Sequence, residues 1–273
     1  SNLNKLNFDK ADTTSRLSML ATANFRGNNI DNLFGEIKLL NSTIRKHNSK
    51  LELYDFTLKA FNENKKPAIS LRTDFVDADL RGYYEFGQVK NVIRTALASL
   101  LPSKFKAPAI KKQSKNEFTF NLSFKNTDKI NNFFKTGVIL AEKSSLNGSL
   151  HNDSVIIINA NAKSLNYRNN IFSNLALSAS YSGTKFTADL KSSSLKIFGR
   201  SDLVGFKAGL GVIPDNFIFS FDWDNKEKIP GKGAFVSRGS YIAKQEGQAG
   251  SYLKIEIDSS DVYTRNNKWK IRH

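Results

Sequence analysis

FTFNLSF, residues 118–124, sets Phe118, Phe120, Leu122 and Phe124 at every second position, with Thr119, Asn121 and Ser123 between them. Side chains of an extended strand point alternately to its two faces, so this spacing predicts a strand with one apolar and one polar face. The same period recurs on either side. Upstream, Leu17, Met19, Ala21, Ala23 and Phe25 alternate with Ser18, Leu20, Thr22 and Asn24. Downstream, Phe217, Phe219, Phe221 and Trp223 stand against Ile218, Ser220 and Asp222, and Leu253, Ile255 and Ile257 against Lys254 and Glu256. Weaker runs lie at 35–40, 51–60, 69–76 (with Leu71), 175–181, 184–190 and 195–198. Arg26-Gly27-Asn28-Asn29, Asn147-Gly148, Ser182-Gly183 and Gly199 read as the turns between them, because these residue types tolerate turn backbones. Roughly a dozen strands at about 8–12-residue spacing are expected.

Two segments break the period. Over 88–101, Val89, Val92, Ile93, Ala96, Leu97, Leu100 and Leu101 fall on one face of a helix, with Lys90, Asn91, Arg94, Thr95 and Ser99 on the other, and Pro102 ends it. Such a helix is expected to cover an open end or edge of the sheet. A shorter helix is expected near 128–135, capped by Thr127 or Asp128 and stopped by Gly137. The basic run 104–115 reads as a loop, which makes 1–103 and 116–273 candidate sub-units of one architecture.

Composition narrows the function classes. The chain has 41 Lys+Arg against 25 Asp+Glu, a net charge of +16, with 21 Phe, 3 His and no Cys. An excess of this sign suits an anionic partner such as nucleic acid or phospholipid headgroups, and equally a solvated lysine-rich exterior. Lys104, Lys106, Lys111, Lys112 and Lys115 cluster without an acid, but no basic helix or aromatic RNA-binding motif accompanies them, so nucleic acid is not the expected partner. No apolar run reaches the ~18 residues needed to cross a bilayer as a helix. The chain starts at Ser1 and its one Met is Met19, which reads as a piece of a longer protein.

The search for chemistry returns little. His47, His151 and His273 lack an acid or His partner at ligand spacing, so neither metal nor cofactor is expected. Ser103–Lys106 and Lys135-Thr136-Gly137 imitate two penicillin-binding signatures, but the intervening Ser-Asp-Asn element is missing and Ser193–Lys196 matches the first pattern too. Asp74, Asp77 and Asp79 lack the Gly and terminal Glu of a calcium loop, and Gly209-Leu-Gly211 is no dinucleotide fingerprint. Without an acid–base pair the expectation is a binding or carrying protein rather than an enzyme.

Three stretches resemble the TamB family, in its Bacteroidetes-like form, within the AsmA-like bridge-like lipid carriers. ISLRTDFVDADLRGYYEFGQVKNVIRTALASLLPSKF (Ile69–Phe105) is similar to that group's recurrent unit of strand, "DA-x-L-x-G" strand, aromatic piece and amphipathic helix closed by Leu-Pro. GNNIDNLFGEIKLLNS (Gly27–Ser42) resembles the strand pair before it, and SSDVYTRNNKWKIRH (Ser259–His273) a later strand, with Arg265-Asn266-Asn267-Lys268 where the family commonly carries Asp.

The resemblance implies a mainly β fold: an elongated, curled β-sheet groove, β-taco-like, with one or two short amphipathic helices. It implies a periplasmic location in a Gram-negative envelope, an inner-membrane anchor before this segment, and an Omp85-type outer-membrane barrel (TamA- or BamA-like) as partner beyond it. The cargo would be phospholipid, held by Leu17, Met19, Phe25, Leu71, Phe118, Phe120, Leu122, Phe124, Phe217, Phe219, Phe221, Trp223, Leu253, Ile255 and Ile257, with the 88–101 helix capping the groove. Three alternatives stay open: a closed β-sandwich whose apolar face is simply its core, a scaffold for outer-membrane protein assembly, and an adhesin or glycan-binding module.

Overall fold

A computed structural model describes residues 16–46, 49–109, 116–152, 154–199, 201–226, 231–243, 251–264 and 267–272. His47, His273, Lys111, Lys112 and Lys115 lie outside them. In chain order the elements are β1 (Arg16–Arg26), β2 (Phe34–Lys46), β3 (Ser49–Glu63), β4 (Lys66–Thr73), β5 (Val76–Tyr83), α1 (Phe86–Leu100), β6 (Glu117–Phe124), α2 (Asp128–Phe134), β7 (Val138–Leu140), β8 (Ser145–His151), β9 (Val155–Tyr167), β10 (Asn170–Ser182), β11 (Lys185–Ile197), β12 (Ser201–Ile213), β13 (Asn216–Asp224), β14 (Lys232–Ile242), β15 (Tyr252–Ile257), β16 (Ser260–Thr264) and β17 (Asn267–Ile271).

All 17 strands belong to one antiparallel sheet. It is an up-and-down meander in which almost every strand pairs with its chain neighbours, and β5 pairs with β6 across the long connection that holds α1. Two strands are split: β7 and β8 both lie along β9, and β15 and β16 both lie along β14. Among the described residues β1 pairs only with β2 and β17 only with β16, so the sheet is not closed. A closed sandwich needs a second sheet over the apolar face, and the described residues form none.

Asn147-Gly148 is corrected from turn to mid-strand: Asn147 pairs with both Asn121 and Asn159, inside β8. Gly209 and Gly211 likewise sit within β12. The helix expected over 88–101 runs from Phe86 to Leu100. Thr127 precedes α2 but does not cap it, because its Oγ1 accepts from the Leu140 amide at 2.9 Å; Lys135, in the left-handed conformation, closes that helix.

Directly paired residues of neighbouring strands share a face, so the registers trace ranks of side chains across the sheet. One rank runs Ala23, Ile37, Leu58, Leu71, Ala78, Leu122, Leu146, Ala160, Leu177, Leu190, Ala208, Phe221 and Phe235. The next runs Phe25, Gly35, Ala60, Ile69, Leu80, Phe120, Gly148, Ile158, Ala179, Ala188, Leu210, Phe219, Ser237 and Ile257. Neither contains a charge. The rank between them on the opposite face reads Asn24, Glu36, Lys59, Ser70, Asp79, Asn121, Asn147, Asn159, Ser178, Asp189, Gly209, Ser220 and Val236.

The long strands bend at a common level. There β2, β3, β9, β10, β11 and β12 each take one residue more than strict alternation needs: Asn41, Tyr54, Lys163, Asn174, Ser193 and Gly205. Asn41, Asn174 and Gly205 have positive φ, 45°, 48° and 64°. An extra residue bends its strand and reverses the side on which later residues emerge. Because neighbours add theirs together, pairing resumes in register and the apolar set returns to the same face. Phe172, beyond Asn174, thus has its ring 6.5 Å from that of Phe206. Buried hydroxyls bond carbonyls along this crease: Ser192 Oγ donates to Ser173 at 2.7 Å, Thr73 Oγ1 to Val76 at 2.8 Å and Ser144 Oγ to Ala141 at 2.6 Å. The shorter β4, β5, β6 and β8 stop at this level. Beyond it α2 reaches β3, where the Lys129 ammonium lies 5.1 Å from the Tyr54 ring centre.

Candidate functional site

The apolar face forms a trough that the described residues leave largely unfilled. Among the described residues only fourteen hydrophobic side chains are fully buried, and four of those belong to α1. Leu71, Phe118, Phe120, Leu122, Phe124, Phe217, Phe219, Phe221 and Trp223 are half-buried, as is Leu17. Met19, Phe25, Leu253, Ile255 and Ile257 are exposed, at or near the sheet's two edges. By register fourteen of the fifteen residues read from the sequence sit on one face; Met19 falls at the register shift of β1 against β2, where no residue of β2 pairs with it directly. Phe120 and Phe219 occupy one rank, Leu122 and Phe221 the next.

An aromatic patch occupies β10 to β14. Phe221 stacks on Phe235 at 5.0 Å and on Trp223 at 6.0 Å between ring centres, and lies 5.8 Å from Phe219 and 6.4 Å from Phe206. Several rings lie down on the sheet. A Cβ placed on Gly148 would stand 2.7 Å from the Phe120 ring, one on Gly239 2.0 Å from Phe217, and one on Gly233 2.3 Å from Trp223. Each of these glycines is the direct cross-strand partner of its aromatic residue. The rings thereby cover bare backbone and leave the space above it free.

Sequence reading missed Leu58, Leu80, Leu146, Ile158, Leu177, Leu190, Leu210 and Phe235 as floor residues. Their strands carry small inward residues such as Ala160, Ala179, Ala188 and Gly148, which weaken an alternating pattern, and the extra residues reverse its phase.

The polar face is laced with ion pairs. Glu36 lies 2.9 Å from Lys59 and 3.3 Å from Lys38, and the hydrogen bond from Lys59 holds its carboxyl below the ordinary range. The three aspartates considered for calcium are each engaged. Asp79 accepts from Arg72 Nη2 with both carboxylate oxygens, at 2.9 and 3.0 Å, Asp77 lies 2.7 Å from Lys125, and Asp74 accepts from the Tyr54 and Asp55 amides at 2.5 and 3.3 Å. No cluster of three metal-ligating side chains occurs among the described residues. Ser103, the decoy nucleophile, donates to Asp215 Oδ2 at 2.7 Å, an arrangement that ties a loop rather than activating a hydroxyl.

α1 runs along one rim. Its first amide, that of Phe86, donates to Asp31 in the β1–β2 turn at 2.8 Å, while the carbonyl of Leu100 accepts from Asp215 in the β12–β13 turn at 2.8 Å. Fifteen residues span ~22 Å, far less than the roughly ten strand spacings of ~4.8 Å that separate those two turns along the sheet, so the sheet curls to bring both to the helix. Val92, Ala96 and Leu100 are buried, and Ala96 and Leu100 form a small core with Tyr181, Ile156, Phe186 and Val212. Ile93, 50% exposed, and Leu97, 39% exposed, look into the trough, and Val89 and Leu101 are half-buried.

Fold and site thus define a mainly β, single-sheet protein with a continuous apolar face. No family model, curated protein or solved structure matches the chain.

Proposed function

We propose that this chain is a segment of a TamB-like, periplasm-spanning protein whose trough shields phospholipid acyl chains from water between the inner and outer membranes. The observation that carries the proposal is the pair of uncharged ranks crossing at least thirteen strands, with no second sheet over them among the described residues. Burying an acyl methylene on such a face contributes about 0.8 kcal/mol, so a chain of roughly fifteen carbons gains on the order of 10 kcal/mol before ordering costs. That suffices to hold a lipid without polar specificity, and headgroups can stay in solvent near the lysine-bearing exterior. The quoted motifs fit this reading in placement as well. Ile69–Phe105 spans β4, β5 and α1, and its glycine, Gly82, has the geometry of Gly35 in the preceding motif.

The test puts Phe120→Glu and Phe219→Glu in one chain. Phospholipid phosphorus per purified protein should fall to background while the β-type circular dichroism spectrum is kept; lipid content equal to the parent would refute the reading.

A scaffolding role is favoured by one separate observation. β1 exposes both Met19 and Leu20, neighbouring apolar side chains that a client strand could cover. Crosslinks from Leu20 to a nascent barrel protein, absent from Phe120, would support that role.

A further inference from the structure

Beneath the rim helix lies a half-open space that no described residue fills. Between α1 and the strands β9 to β12 lies a cavity of about 340 Å³, with Ile93 and Leu97 on the helix side and Ile158, Leu210, Val212 and Phe186 on the sheet side. Ile93 and Leu97 stay exposed although they face the sheet, whereas Val92 and Ala96 beside them are buried. No polar surface faces the cavity.

These properties select the occupant. A peptide strand would lose hydrogen bonds for each N–H and C=O it carried in, with nothing on the wall to replace them. A helix, 10–12 Å across with its side chains, occupies roughly 400 Å³ or more for each 5.4 Å turn, which exceeds the space beneath α1. A slender unbranched hydrocarbon meets neither obstacle. We infer that the cavity beneath α1 takes the methyl-terminal part of one phospholipid acyl chain, so that α1 is a clamp over the cargo and not merely a cover for the sheet's rim. The clamp is tied down by polar bonds outside the cavity. Ser99 Oγ lies 2.7 Å from the Tyr181 hydroxyl and donates to the Gly183 carbonyl at 2.8 Å, and Ser103 is held by Asp215. The inference rests on the trough reading and adds to it a defined place for the tail.

The test places photoreactive benzoylphenylalanine at Leu97 in one protein and at Phe219 in another, each incubated with phosphatidylethanolamine–phosphatidylglycerol vesicles and irradiated. Lipid adducts are expected at both positions. Ile93→Trp, which fills the cavity from an exposed position, should cut the Leu97 adduct at least fivefold and leave the Phe219 adduct unchanged. An adduct at Phe219 but not at Leu97 overturns the clamp and leaves the trough reading standing; adducts at neither overturn both. An adduct at Leu97 that forms with free palmitate but not with the vesicles overturns the assignment to phospholipid. A Leu97 adduct indifferent to Ile93→Trp would mean that the tail lies outside the cavity.

Discussion

Inward aromatic residues are set opposite glycine: Phe25 with Gly35, Phe118 with Gly82, Phe120 with Gly148, Phe217 with Gly239 and Trp223 with Gly233. The five glycines are not interchangeable. Gly35 and Gly82 have φ of +126° and +117°, and a Cβ there would stand 2.2 Å from a carbonyl oxygen of the adjacent strand. Gly82→Ala should therefore destabilise the protein by about 1–3 kcal/mol or more, measured as a lower urea midpoint. Gly239 and Gly233 meet only ring atoms. Gly239→Ala should keep the fold while pushing the Phe217 ring off the sheet, visible as altered near-ultraviolet dichroism and reduced lipid content. The alternating Phe, Leu and Trp residues were legible in the sequence because most stand between polar neighbours, Ile218 between Phe217 and Phe219 being an exception. Their glycine partners were not: glycine reads locally as a turn, and Gly148 acquires its meaning from a ring two strands earlier in the chain and from the Ile157 carbonyl of the next strand, 2.2 Å from where a Cβ would stand.

At the scale of the element, the helix and the crease behave differently under mutation. The face of α1 could be read from its spacing, but spacing treats Val92 and Ile93 alike, and only packing separates the residue against the sheet from the residue over open space. Asp215→Ala removes both acceptors of Ser103, a loss of about 1–3 kcal/mol. Amide exchange across α1 should speed up at least fivefold, with exchange in β3 and β4 unchanged. Deleting Asn174 alone should do something else. Phe172 would fall out of step with Leu165 and Leu195, so residues 170–173 should lose exchange protection while 175–181 keep theirs. Deleting Asn174 and Ser193 together should restore less than half of that protection, because β9 and β12 keep their own extra residues. The crease was invisible in the sequence, where an extra residue looks only like a lapse in alternation.

The whole molecule is a meander whose strands touch mainly their chain neighbours, with no central core to which distant parts report. Stability should accordingly be graded, with β1 and β17 exchanging hydrogens faster than β10 and β11, which are paired along nearly their full length on both sides. The charge of +16 is also a property of the whole. Flotation with anionic vesicles should weaken steadily as salt rises from about 0.05 to 0.5 M, whereas lipid already in the trough should stay; a flotation yield indifferent to salt would remove charge as the attracting force. The uncharged ranks bear on how cargo would travel. A tail moving from one strand to the next advances ~4.8 Å and exchanges Leu, Ala and Phe for more of the same. Along some 60 Å of sheet the free-energy profile for such cargo would therefore be nearly level, with the proposed clamp its one marked well. On such a profile a lipid wanders by thermal diffusion in either direction at equal cost, and any net flow has to be imposed by unequal supply and removal at the two ends.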